Sequence, residues 1–268
     1  MNKSIRITAF ARRASLLSVC AAALVACGGG GGGGGGGDTT TPLVDPSAIL
    51  QNFWSGTMTN AADGATRASA VIMPNGTAWV AMESAAAVVG VAKVALAGTA
   101  VDATSANISG TGVYFTLPNG AAQALTAAGT VTASSLAGTA TSPAGTATLN
   151  WTPVTTPSYS SAAQASDLTG AWRGTLGGSV VVVDWSIDAA GTLTAGTTST
   201  GCTYTGTVKP SSAGAIAVYD VAVAETCGGT TRNLAGIATL TASKTSLRVM
   251  YTADADTGAG VIAFTKQP

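Results

Sequence analysis

Along the second half of the chain, apolar and polar residues alternate with the two-residue period of a half-buried β-strand. Val181, Val183, Trp185 and Ile187 take turns with Val182, Asp184 and Ser186. Further strand-like segments follow at 204–208, 216–224, 233–241, 247–252 and 261–265. Turn-forming groups such as Lys209-Pro210-Ser211-Ser212 and Asp256-Thr257-Gly258 separate them. Beyond the first 26 residues no stretch carries a helical period. The nearest, Ala85 to Leu96, is rich in valine and interrupted by Gly90. Many short strands with glycine-rich turns predict an all-β chain, built as antiparallel up-and-down β-barrels or barrel-like sandwiches. With about seven or eight strands per module, closure into a barrel is expected because it leaves no exposed edge.

The pattern divides the chain into two modules. The first spans 48–152 and the second 167–268, each large enough for a core of its own. Between them, 153–166 is rich in Pro and Ser and lacks periodicity, as a linker would. The modules read as diverged copies. Trp54-Ser55-Gly56-Thr57-Met58 in the first matches Trp172-Arg173-Gly174-Thr175-Leu176 in the second, 118 positions later. A strand, a turn and a Gly-Thr pair then recur in the same order, at Ala70 to Thr77 and at Trp185 to Thr192.

Ahead of the modules the pattern is different. Lys3, Arg6, Arg12 and Arg13 precede an apolar run from Ala14 to Ala26 that stops at Cys27, the layout of a secretory leader over 1–26. At about 1.5 Å per residue that run would span only about 20 Å as a helix, short of the roughly 30 Å hydrocarbon core. Ten glycines, Gly28 to Gly37, follow. With no side chains to pack, they and the polar residues to 47 are expected to form a disordered tether (27–47) with a reach of about 25 Å. Leu24-Val25-Ala26-Cys27 resembles the lipobox of bacterial lipoproteins. That resemblance implies removal of the leader and acylation of Cys27, and several acyl chains anchor stably where one is marginal. Gly28 stands where an aspartate would favour the inner membrane, so the implied location is the outer membrane, facing the periplasm or the surface. Leu168-Thr169-Gly170-Ala171-Trp172 with Gly191-Thr192-Leu193-Thr194 resembles the first strands of avidin-type barrels. This implies barrel shape but not biotin, because Trp185 is the last tryptophan of the chain.

Removing the leader takes away four basic residues and no acidic one, leaving eight basic against twelve acidic. A weakly acidic surface with scattered basic residues argues against nucleic acid as a partner. Cysteine parity fits the same picture: Cys20 leaves with the leader, and a lipid on Cys27 leaves Cys202 and Cys227 to pair. These two flank a predicted hairpin, and in an oxidising envelope a disulfide is expected, closing about 25 residues. With no histidine in the chain, zinc would need carboxylates to complete its set, so no metal or other cofactor is expected.

The missing histidine also removes the commonest general base, and no catalytic residue is assigned. Asp184 with Asp188 sits at a strand end and turn, where Asp serves local hydrogen bonding. Asp254-Ala255-Asp256-Thr257-Gly258 suits a hairpin turn better than a calcium loop, lacking the other ligands and the closing Glu. Trp54, Trp79, Trp172, Trp185, Tyr204 and Tyr251 are the candidate ligand-lining residues, accompanied by Tyr114, Trp151 and Tyr219. They either fill the barrel cores or line a cavity, since a barrel of this size packs solid or holds one small ligand. The expected function is a non-catalytic, membrane-anchored binding or structural module with a protein or small-molecule partner. The alternative is a lipocalin-like carrier of a small apolar ligand.

Overall fold

The computed structural model describes residues 43–268 apart from 61–63 and 86. The leader, Cys27 and the glycine run lie outside the described residues, as does the tether up to residue 42. Among the described residues sixteen strands make two closed antiparallel barrels, each strand pairing with the next and the last returning to the first. The first barrel comprises β1 (Asn52–Asn60), β2 (Gly64–Ile72), β3 (Thr77–Glu83), β4 (Val88–Ala100), β5 (Ser105–Thr116), β6 (Gln123–Thr132), β7 (Leu136–Ser142) and β8 (Gly145–Pro153). The second comprises β9 (Gly170–Leu176), β10 (Val182–Ile187), β11 (Leu193–Thr198), β12 (Thr203–Pro210), β13 (Tyr219–Cys227), β14 (Thr230–Leu240), β15 (Ser246–Ala253) and β16 (Gly258–Lys266).

Each barrel begins in the same way. A helical turn precedes the first strand: α1 (Pro46–Leu50) in one case and a 3₁₀ turn (Ala165–Leu168) in the other. Its last leucine is buried, and the tryptophan four residues on donates its indole N–H to that leucine's carbonyl. The distances are 2.9 Å for Trp54 to Leu50 and 2.7 Å for Trp172 to Leu168. Asp45 caps α1 by accepting from the Ser47 amide, and Pro46 opens it with a pre-set φ. A single turn is too short to show a 3.6-residue period, so the sequence pattern missed both.

The hairpins after the second strand of each barrel are also copies. Met73 N–H bonds the Thr77 carbonyl at 2.9 Å, and Asp188 N–H bonds that of Thr192 at 3.0 Å. Gly76 (φ 80°) and Gly191 (φ 78°) turn the chain. A Cβ at either would stand within 2.4 Å of a carbonyl oxygen of the fourth strand, Leu96 or Val208. Both the left-handed φ and the close approach require glycine there.

Two elements depart from the expected pattern. β11 carries no alternation, because only Leu193 and Gly196 are buried along it, and the resemblance at Gly191 to Thr194 marks only its start. β13 begins at Tyr219, later than the apolar run suggests, because Ile216 and Val218 are buried outside the barrel wall. They belong to an apolar cluster shared by the two barrels. Trp79, Val91 and Phe115 on the outer face of β3 to β5 join Ile237, Met250 and Val261 from β14 to β16. This is why β3 is apolar at consecutive positions: both of its faces are covered. Lys93 pairs with Asp256 at 3.0 Å and Arg248 with Glu83 at 2.7 Å across the same interface. The segment 153–166 is held in place too. Tyr159 is buried edge-on against Phe53, and the Ala217 amide donates to the Tyr159 carbonyl.

Candidate functional site

The first barrel is plugged at one end by Leu50 and Trp54. One layer further in, Gly56 on β1 lies opposite Trp151 on β8. A Cβ on Gly56 would stand 2.8 Å from the indole Cδ1 and 2.0 Å from the Asn150 carbonyl, so glycine makes the room for the ring. Beyond Trp151 the interior is hollow. A cavity of about 150 Å³ extends to a rim at Asn60 and the β7–β8 turn, where Ala144, Gly145 and Thr146 are exposed. Ala78, Ala92 and Ala140 line it alongside Val94, Leu136 and Leu149. A volume of this size is about what a molecule as large as benzene occupies. Among the described residues none of the lining side chains is Asp, Glu, Lys or Arg. Among its polar groups is the Tyr114 hydroxyl, which accepts from Thr116 Oγ1 at 3.3 Å. Trp151 Nε1 is buried without a hydrogen-bond partner.

The second barrel, on the same register, is filled. Gly174 faces Phe264 as Gly56 faces Trp151, and Leu247 faces Phe264 as Leu136 faces Trp151. Four residues further along these last strands stand Tyr251 in one barrel and Ala140 in the other. In the opposite direction, Trp172 faces Trp185 where Trp54 faces Ala70. The Val208 amide donates to the Gly191 carbonyl as the Leu96 amide does to that of Gly76. Four residues before them stand Tyr204 and Ala92. The two routes meet consistently: Val221 lies between Val208 and Gly236, and Gly110 between Leu96 and Ala127. Ala70, Ala92 and Ala140 therefore occupy the positions of Trp185, Tyr204 and Tyr251. Of the three, Ala92 and Ala140 line the cavity, and alanine in place of two tyrosines is its physical origin; Ala70 lies opposite Trp54 in the plug.

In the second barrel Trp185 packs edge-on against Tyr204 at 5.6 Å and tilted against Phe264 at 4.8 Å. Tyr204 donates its hydroxyl proton to Glu225 Oε1 at 2.7 Å, and Arg232 holds Oε2. Burial, then the hydrogen bond to Glu225, raises the Tyr204 pKa far above its ordinary value, and burial does the same to Tyr251. The hydrogen bond to Glu225 raises that of Arg232. Beside this network Cys202 and Cys227 form a disulfide across the end of the β12–β13 hairpin, with Cα atoms 4.4 Å apart. Their sulfurs and a Glu225 oxygen lie within 4.8 Å of one another, but sulfurs bonded to each other offer no thiolate to a metal.

The structure distributes the expected ligand-lining residues unevenly. Trp54 forms the plug of the first barrel, below the cavity. Trp79 points away from the barrel interior into the shared interface, with Lys93 Nζ 5.6 Å from its ring, so it does not line a cavity. Trp172, Trp185, Tyr204 and Tyr251 fill the second barrel, with Tyr219. Tyr114 and Trp151 do border the cavity. The acidic pairs do not converge: Asp184 pairs with Arg173 on the surface at 2.9 Å, and Asp188 accepts from the amides of its own turn. Residues 254–256 have positive φ in a hairpin turn. The lining alanines were missed, although the repeated W-x-G-T motif, extended strand by strand, sets Ala92 against Tyr204. No protein-family model, curated protein or solved structure matches the chain.

Proposed function

We propose that the protein is a non-catalytic carrier that holds one small, uncharged, apolar molecule inside its first barrel, while the second barrel serves as a solid support. The observation that carries this reading is the open cavity, without a charged side chain among its described lining residues, in a barrel whose sibling is packed solid. It favours the interior over the outer surface as the working part. Among the described residues the exposed large apolar side chains, Leu43, Val101 and Val180, are scattered singly and form no docking patch. The lipobox-like Leu24 to Cys27, the glycine run and the disulfide support an envelope protein anchored at the outer membrane through Cys27.

Native mass spectrometry of protein purified without detergent exchange tests the carrier. One co-purifying small molecule, lost on replacing Ala92 by Tyr, is the expected result. Failure of every small apolar probe to bind would end the reading. Cys27→Ser is expected to move the protein from the membrane to the soluble fraction, and continued membrane association would refute the anchor.

A further inference from the structure

The second barrel carries, in its own side chains, an image of what the first barrel is shaped to hold. Through the shared register Tyr204 and Tyr251 occupy the space above Ala92 and Ala140, and both alanines line the cavity. We infer that the ligand of the first barrel is a neutral monocyclic phenol, its ring standing where Tyr204 stands in the second barrel and its hydroxyl bonded to Tyr114. This deepens the carrier reading and rests on it.

Three observations support this class. The first is shape: about 150 Å³ between Trp151 and the rim suits one six-membered ring and not a fused system or a long chain. The surrounding aromatic rings of Trp151 and Tyr114 favour a planar π-system over a saturated ring. The second is the polar partner. In the second barrel the Tyr204 phenol meets Glu225, the residue directly opposite on β13. In the first barrel the residue directly opposite Ala92 is Tyr114, which lines the cavity and carries a hydroxyl that accepts from Thr116 near the rim. A ring placed over Ala92 in the manner of Tyr204 brings its oxygen to that hydroxyl.

The third is charge. Glu225 faces Arg232 on β14, whereas Tyr114 faces Gln123 on β6, so where the second barrel has a buried carboxylate paired with an exposed Arg232 the first has two neutral groups. Among the described lining residues nothing would compensate a phenolate, a carboxylate or an amine. A charge entering it would lose its hydration without a partner. The bound species is the protonated phenol.

The test uses the full chain and three probes of similar size: p-cresol, which is the tyrosine side chain as a free molecule, toluene, and 4-methylcyclohexanol. Binding is read by titration calorimetry and by tryptophan fluorescence. The expected result is one p-cresol per chain, bound about fivefold more tightly than toluene, as one net hydrogen bond gives, and more tightly than 4-methylcyclohexanol. Tyr114→Phe should erase the preference over toluene while leaving toluene binding unchanged. Ala92→Tyr should abolish binding of all three probes; Ala140→Tyr serves as the second filled variant if the first fails to fold. Equal affinities for p-cresol and toluene, or a preference that survives Tyr114→Phe, would overturn the phenol assignment and leave the carrier intact. So would equal affinity for 4-methylcyclohexanol. If no probe binds the unaltered protein, carrier and phenol assignment fall together.

Discussion

If the tyrosines at the positions of Ala92 and Ala140 are what separates a filled from a hollow barrel, removing one from the second barrel should begin to convert it into the first. Tyr251→Ala is the clearest case. Tyr251 is 5% exposed, belongs to the second core cluster, and takes no part in the hydrogen bonds among Tyr204, Glu225 and Arg232. Its truncation therefore reports chiefly lost contacts and an unfilled volume. Replacing a large buried aromatic by alanine costs about 3–5 kcal/mol, the spread reflecting how far the neighbours relax. Little relaxation is expected, because the closed strand register and the Cys202–Cys227 bridge hold the wall. With a slope of about 2 kcal/mol/M, the urea midpoint of the second barrel should fall by about 2 M. The variant should still fold, since the first barrel is built with Ala140 at the same place. p-Cresol at about a hundred times its dissociation constant should then return about 2.7 kcal/mol beyond whatever it gives the unaltered protein. Urea titrations monitored by circular dichroism, with and without p-cresol, measure both quantities. A loss below about 1 kcal/mol, or no additional rescue, would show that the barrel closes over the gap and that these aromatic positions do not decide hollowness.

Replacing both Cys202 and Cys227 by Ser should lower stability by about 3.5 kcal/mol, from the chain entropy of a loop spanning 25 positions; an unchanged unfolding midpoint would contradict this. Trp151→Phe installs the residue that Phe264 supplies in the second barrel and removes a buried N–H without a partner. Relief of that desolvation offsets the lost contacts, so stability should stay within about 1 kcal/mol, and a loss above about 3 kcal/mol would assign the indole a bonding role. Burial raises the pKa of Tyr159 and of Tyr219 to about 12, and Tyr204 and Tyr251 are raised further. The folded state thus holds these protons more tightly than the unfolded chain does. Their contribution is complete below the ordinary tyrosine value near 10 and is lost as pH rises from there through the folded values. Tyrosinate absorbance should therefore appear with unfolding; free titration of these four near pH 10 in the folded protein would refute the burial.

How much of this was readable beforehand depends on which physical signal each element carries. β10 advertises itself, because Val183, Trp185 and Ile187 face one core while Asp184 and Ser186 face water. The disulfide was readable for a related reason: a hairpin places residues equidistant from its turn opposite each other, and Cys202 and Cys227 straddle one. β3 and the Ile216–Val218 stretch carry an ambiguous signal, since a second barrel covers what a lone barrel would expose. A linker composition likewise gave no hint that Tyr159 packs against Phe53, because that contact depends on how two barrels meet. The site was the hardest part to read. Attention to large aromatic residues leads to the filled barrel, whereas the cavity is made by alanines, the residues with least to say individually. They become informative only when each is set against its counterpart in the other copy.

That contrast also bears on why the two copies differ. A hollow barrel forgoes the burial of two aromatic side chains, each covering about 150–250 Å² and worth several kcal/mol at about 25 cal/mol per Å². A barrel with a vacant interior would be the weaker half of the chain if it stood alone. Here its outer face is not solvent-exposed where β3 to β5 meet β14 to β16. Trp79, Val91 and Phe115 are buried against Ile237, Met250 and Val261, with ion pairs at Lys93–Asp256 and Glu83–Arg248 beside them. The burial given up inside the first barrel is partly regained on its outside, against a neighbour whose own core is complete and cross-linked. On the proposed carrier reading, the difference at the inward positions of Ala92 and Ala140 amounts to a division of labour between two similar barrels: the filled one supports the wall, and the other keeps space for a ligand.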